Sequence, residues 1–123
     1  MMEYTQLERG VLAWMAEHVD VPNLAEQIRT AVPTKRDHTG CGSFTTLSVP
    51  SDLPRIEASS PVNGPAIEAE GIEHGGAAMV FLNDSGHIET LEMYANGDRF
   101  AETITGFRLK AWEESNKADG AYG

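Results

Sequence analysis

The chain has one cysteine, Cys41, so no intramolecular disulfide can form. Its longest purely apolar run, residues 77–82, is far short of the roughly 20 residues a membrane-spanning helix needs. The amino terminus lacks the basic-then-apolar pattern of a secretory signal. These absences exclude a disulfide-stapled scaffold and a helical membrane span, and predict a reducing, cytoplasmic setting. Basic residues are also scarce: nine Lys and Arg against 19 Asp and Glu give a formal charge of −10. A phosphate backbone is bound by Lys and Arg clusters that release its counterions, so nucleic acid is not an expected partner. There is no internal repeat, no P-loop, no G-x-S-x-G and no kinase signature.

What remains is an ordinary globular composition, 41% hydrophobic and 23% charged, on 123 residues. That length suits a single domain burying roughly two thirds of its unfolded surface. The expected organisation is one α+β domain over residues 1–112 and a polar tail over residues 113–123. Thr5 and Glu8 have the spacing of a capping box, which predicts a helix start. Leu7, Val11, Trp14, Met15 and Val19 follow at helical spacing, with Glu8, Arg9 and Glu17 among the polar positions. Asp20 or Asn23 is the expected cap of a second helix reaching Thr30, with Leu24, Ile28 and Ala31 inward and Pro33 closing it.

β-favouring residues begin at Thr34, and residues 39–42 read as a turn before a strand over residues 43–49. Residues 50–65 hold Pro50, Pro54, Pro61 and Pro65 and read as a long loop. Residues 66–71 predict a strand, and residues 77–82, apolar on both faces, a central one. Residues 83–86 are a hairpin turn leading into a strand over residues 87–94. Strict alternation there puts Glu89 and Glu92 on opposite faces, which predicts a bulge. Residues 99–105 fit a strand or a helical turn equally. Phe107, Leu109 and Ala111 alternate with Arg108, Lys110 and Trp112 in a last strand with one basic face. The predicted fold is two amino-terminal helices packed on a mainly antiparallel sheet of four to six strands.

Few residues point to chemistry. His38 and Cys41 are the candidate base and nucleophile, since a thiolate needs a neighbouring cation or helix start. The competing reading, a surface histidine and a small residue between tight glycines, is preferred because the spacing matches no thiol-enzyme signature. His18, His38, His74 and His87, with Glu73 or Glu89, are the possible metal ligands, but none has ligand spacing, so no metal and no cofactor is expected. Gly40 and Gly42 form a bare G-x-G outside any βαβ unit. Glu68 and Glu70 would share one strand face, where paired acids more often form a solvated edge than an acid/base pair. Trp112, beside Arg108 and Lys110, is either packed or an interface aromatic.

Charge is better localised than chemistry. Residues 57–102 hold nine acids against Arg99 alone, and so carry −8 of the total. Glu68, Glu70, Glu89, Glu92 and Trp112 are therefore the expected contact residues for a basic protein partner.

Residues 39–45 (Thr-Gly-Cys-Gly-Ser-Phe-Thr), residues 79–83 (Met-Val-Phe-Leu-Asn) and residues 91–98 (Leu-Glu-Met-Tyr-Ala-Asn-Gly-Asp) resemble a group of small bacterial proteins, some of which look like immunity or antitoxin proteins. That resemblance rests on turn glycines and strand residues. It implies a non-enzymatic, protein-binding role. The alternative is a small enzyme or ligand-binding protein with a helix/sheet pocket near His38 and Cys41.

Overall fold

Thr5 caps the first helix as its spacing predicts. In the computed structural model, which describes residues 2–111, the Thr5 hydroxyl accepts the Glu8 amide at 3.1 Å, and the Glu8 carboxylate accepts the Thr5 amide at 2.8 Å. Helix α1 (Gln6–His18) follows and buries Leu7, Val11, Leu12 and Met15, with Trp14 and Val19 half-covered. Helix α2 (Leu24–Thr30) turns Leu24 and Ile28 inward. Neither expected cap performs that role. Asn23 stands at the capping position with a left-handed backbone, φ 74°, and its side chain donates to the Arg55 carbonyl at 3.0 Å instead. Pro33 does not close the helix but lies one residue into the next strand.

Six strands follow: β1 (Val32–His38), β2 (Gly42–Ser48), β3 (Val62–Ala69), β4 (Gly76–Leu82), β5 (Ile88–Ala95) and β6 (Phe107–Lys110). They form one antiparallel sheet in the order β1-β2-β5-β4-β3-β6. The fold is thus α+β with both helices first in sequence, as the patterning predicts. The apolar segment around residues 77–82 occupies an inner strand, and β1 and β6 are the edges. No helix among the described residues is long and apolar enough to cross a membrane. Trp112 and the tail over residues 113–123 lie outside the described residues.

Two expectations change. The predicted loop over residues 50–65 ends early, because Val62 to Pro65 already belong to β3. Pro65 is tolerated there because the β3–β4 register shifts between Asn63 and Ala66, where the ladder is interrupted. Gly64 is also needed: a Cβ on it would sit 2.9 Å from the Met15 Sδ, so α1 could not approach β3 so closely. Residues 99–105 are neither strand nor helix. They hold on through one isolated bridge, Phe100 to Ile72, and through the Phe100 and Ala101 amides, which donate to the Gly40 and Gly71 carbonyls. Finally, the expected bulge is real and lies at Glu89, since Thr90 pairs with Phe81 and Ile88 with Leu82.

Strand alternation sends Thr45, Leu47, Ile67, Val80, Leu91 and Met93 toward the helices. Each large side chain taken wholly out of water there, such as Met15, Leu24 or Leu91, contributes about 1.5–3 kcal/mol. Gln27 is the polar exception on α2. Its buried amide donates to the Pro54 and Gly86 carbonyls and accepts the Ile88 amide at 2.9 Å, so it fastens the 50–61 loop and the β4–β5 turn to the helix. All of its bonds run to backbone groups, as buried polar side chains require partners.

Candidate functional site

The candidate thiol pair, disfavoured on its spacing, forms no hydrogen bond between His38 and Cys41. Cys41 is exposed, and among the described residues its thiol meets one polar group, the Thr39 hydroxyl at 3.8 Å. Residues 39–42 form the β1–β2 turn, with Gly40 at φ 90°, and the Gly40 amide donates to the His38 Nδ1 at 3.3 Å. His38 rests edge-on against Phe100 with centroids 6.1 Å apart. The remaining histidines are dispersed. His18 stacks on Trp14 at 4.6 Å, His74 stands in a turn at φ 60°, and His87 Nε2 bonds the Leu53 carbonyl at 2.9 Å. Among the described residues no three His, Cys, Asp or Glu side chains are grouped as metal ligands.

The four acids singled out from sequence are not gathered into one patch. Glu68 is on β3, an inner strand rather than an edge, and Lys110 of β6 pairs with it at 2.7 Å. That ammonium group holds the Glu68 carboxyl below the usual carboxylate range. Glu70 does not share its strand face, because β3 ends at Ala69 and the chain turns through Gly71. Glu89 and Glu92 lie on β5, two strands away from Glu68 in the sheet order.

Glu92 has distinctive neighbours. It is paired in register with Phe44 of β2 on one side and Met79 of β4 on the other. Alternation places Phe44, Met79, Phe81, Tyr94 and Glu92 on the side of the sheet opposite the helices. Phe44 is 39% exposed and Met79, Phe81 and Tyr94 are half-buried, so this open face has an aromatic and thioether centre. Along its edges Lys35 pairs with Asp37 at 3.6 Å and Lys110 with Glu68, and Arg108 of β6 stands in register with the same Glu68. Glu92 forms no ion pair among the described residues.

A second polar feature lies on the helix side, and sequence reasoning missed it. Glu8 is fully buried. Its two carboxylate oxygens accept from the Thr5 amide, the Thr45 hydroxyl and the Arg36 guanidinium, whose Nε and Nη2 stand 2.7 and 2.6 Å away. Burial pushes the Glu8 carboxyl up, but the hydrogen bonds from Arg36, Thr45 and Thr5, with the Arg36 charge, outweigh it and hold it below its ordinary value. Arg36 is correspondingly raised, chiefly by its bond to Glu8.

Beside this pair, between the first turn of α1 and the sheet, lies a cavity of about 290 Å³. Arg36, His38, Ser43 and Met93 line its sheet side, and Phe100 and Ile104 line the opposite wall. Ser43 is 4% exposed, and its hydroxyl has no hydrogen-bond partner among the described residues. The structure therefore brings His38, but not Cys41, to a pocket between helix and sheet.

No family model, curated protein or solved structure matches the chain. Function must be argued from the two surfaces themselves. The sequence signal for the buried cluster was present in part, since the capping box names Glu8. Arg36 and Thr45 lie 28 and 37 residues further on and meet it only through the sheet.

Proposed function

We propose that the protein is a non-enzymatic binding module that receives a basic protein partner on the open face of its sheet, as an immunity protein would. The observation that carries this reading is Glu92, an acid set between Phe44 and Met79 without a counter-ion among the described residues. Aromatic and Met side chains are enriched at the centres of interfaces, where a few anchors supply most of the binding energy. A carboxylate among them favours a partner that inserts a Lys or Arg flanked by apolar groups. Glu89, exposed on the bulge of the same strand, adds to the field that draws such a partner in. The net charge of −10 disfavours nucleic acid on the same surface. A cytoplasmic setting accords with the single cysteine. Trp112 remains a proposed contact residue.

The test uses affinity capture by the intact chain, followed by binding kinetics with the captured protein. Glu92→Lys is expected to slow association at least tenfold and Phe44→Ser to speed dissociation. The wild-type association rate should fall steeply between about 50 and 500 mM salt, as screening shortens. A partner whose binding ignores salt and both substitutions would show that recognition happens elsewhere.

A further inference from the structure

We propose that the cavity beneath the first turn of α1 binds a small carboxylate with an apolar body. This site is on the helix side of the sheet and stands or falls independently of the open face. The Glu8 carboxylate is already saturated by the Thr5 amide, the Thr45 hydroxyl and two nitrogens of Arg36. The groups left over are nearly all donors. The Gln6 and Leu7 amides lie in the first helical turn, where no intrahelical acceptor exists, and no loop or side-chain acceptor among the described residues meets them. Arg36 engages Glu8 through Nε and Nη2 and the Glu3 carbonyl through Nη2, which leaves both N–H groups of Nη1. His38 accepts the Gly40 amide on Nδ1, so in the neutral ring the proton is on Nε2.

Ser43 is the independent sign that an acceptor belongs there. Its side chain is more than nine-tenths buried in the cavity wall, and its hydroxyl is unpartnered, a state that buried polar groups rarely keep. The charge balance selects a monoanion. The Glu8 and Arg36 charges cancel, and the partial positive charge of the helix start remains. Glu102, exposed at the rim, opposes the second charge of a phosphate. Met93, Phe100 and Ile104 supply an apolar wall for the rest of the molecule. A volume of about 290 Å³ sits at the small end of ligand sites and suits a compound the size of phenylacetate.

The experiment titrates the full chain with phenylacetate, hexanoate and the neutral isostere phenylacetamide up to about 20 mM, a range that reaches millimolar affinities. Backbone amide chemical shifts are the readout. Both carboxylates are expected to produce saturable shifts at Gln6, Leu7 and Ser43, with phenylacetamide at least tenfold weaker. Ser43→Ala should weaken phenylacetate about tenfold. Arg36→Lys, which keeps a charge opposite Glu8 but lacks Nη1, should weaken it as well. Glu92→Lys should leave the titration unchanged. Absence of saturable shifts at these amides, equal binding of phenylacetamide, or an unaltered titration in the Ser43→Ala protein overturns the proposal.

Discussion

The two faces of the sheet treat a carboxylate in opposite ways. On the helix side, Glu8 is wholly enclosed, and its oxygens are met by Arg36, Thr45 and Thr5. On the open side, Glu92 is half-covered between Phe44 and Met79 and forms no ion pair among the described residues. The difference follows from solvent. A charge removed from water must be compensated within the fold, whereas one that keeps part of its hydration can wait for a counter-ion from outside. Glu8 is consequently an architectural acid, and Glu92 an acid available for recognition.

The sharpest way to break this comparison is to neutralise each acid in turn. Glu8→Gln leaves the Arg36 guanidinium uncompensated and is expected to cost about 2–4 kcal/mol in urea unfolding. That is somewhat under the ~3–5 kcal/mol of fully buried pairs, because the Arg36 side chain is 26% exposed and can still reach water. Glu92→Gln should change stability by less than about 0.5 kcal/mol. Equal costs would mean that the two faces are not distinguished by burial.

Acid sharpens the contrast further. The folded-state value of Glu8 lies below its unfolded one, so its contribution is complete above the ordinary carboxylate range and is lost as pH falls through the depressed value. Unfolding free energy should therefore drop on acidification below the usual carboxylate range, and Glu8→Gln should flatten that limb. A pH profile of urea midpoints for the two proteins decides it. Within the Glu8 network the smaller effect belongs to its local half. Thr5→Ala removes the acceptor for the Glu8 amide but leaves the Arg36 pair in place, and should cost about 1 kcal/mol by the same measurement.

That graded series also marks how far the sequence could be read. The Thr5 end of the network was legible because a capping box is complete within four residues. The Arg36 and Thr45 end was not, because a glutamate at a helix start reads as solvated until the sheet brings two distant residues beneath it. The bulge in β5 was legible as a conflict of alternation around Glu89 and Glu92, and the structure resolves it by giving Glu89 no partner of its own. Val62 to Pro65 were read as loop because proline and glycine outweigh β propensity locally, whereas the register shift and the approach of Met15 are tertiary facts. Residues 99–105 stayed undecided since their hydrogen bonds go to single distant carbonyls rather than to a ladder. The acidic bias was legible as a total, but not its division into a paired Glu68, a turn-borne Glu70 and an unpaired Glu92.

The two edge strands have a further consequence, for self-association. An open sheet ends in rows of free amides and carbonyls that invite another chain to add a strand. β1 answers with Pro33, which has no amide to offer, a register break between Pro33 and Lys35, and charges at Lys35, Arg36 and Asp37. β6 answers by spanning only four residues, two of them basic. Val32, 50% exposed at the start of β1, is the one exposed large apolar side chain on either edge strand among the described residues, and the proline follows it directly. The sheet is therefore open on its face and guarded along its margins. Partners are admitted by side-chain recognition, while polymerisation through backbone pairing is discouraged.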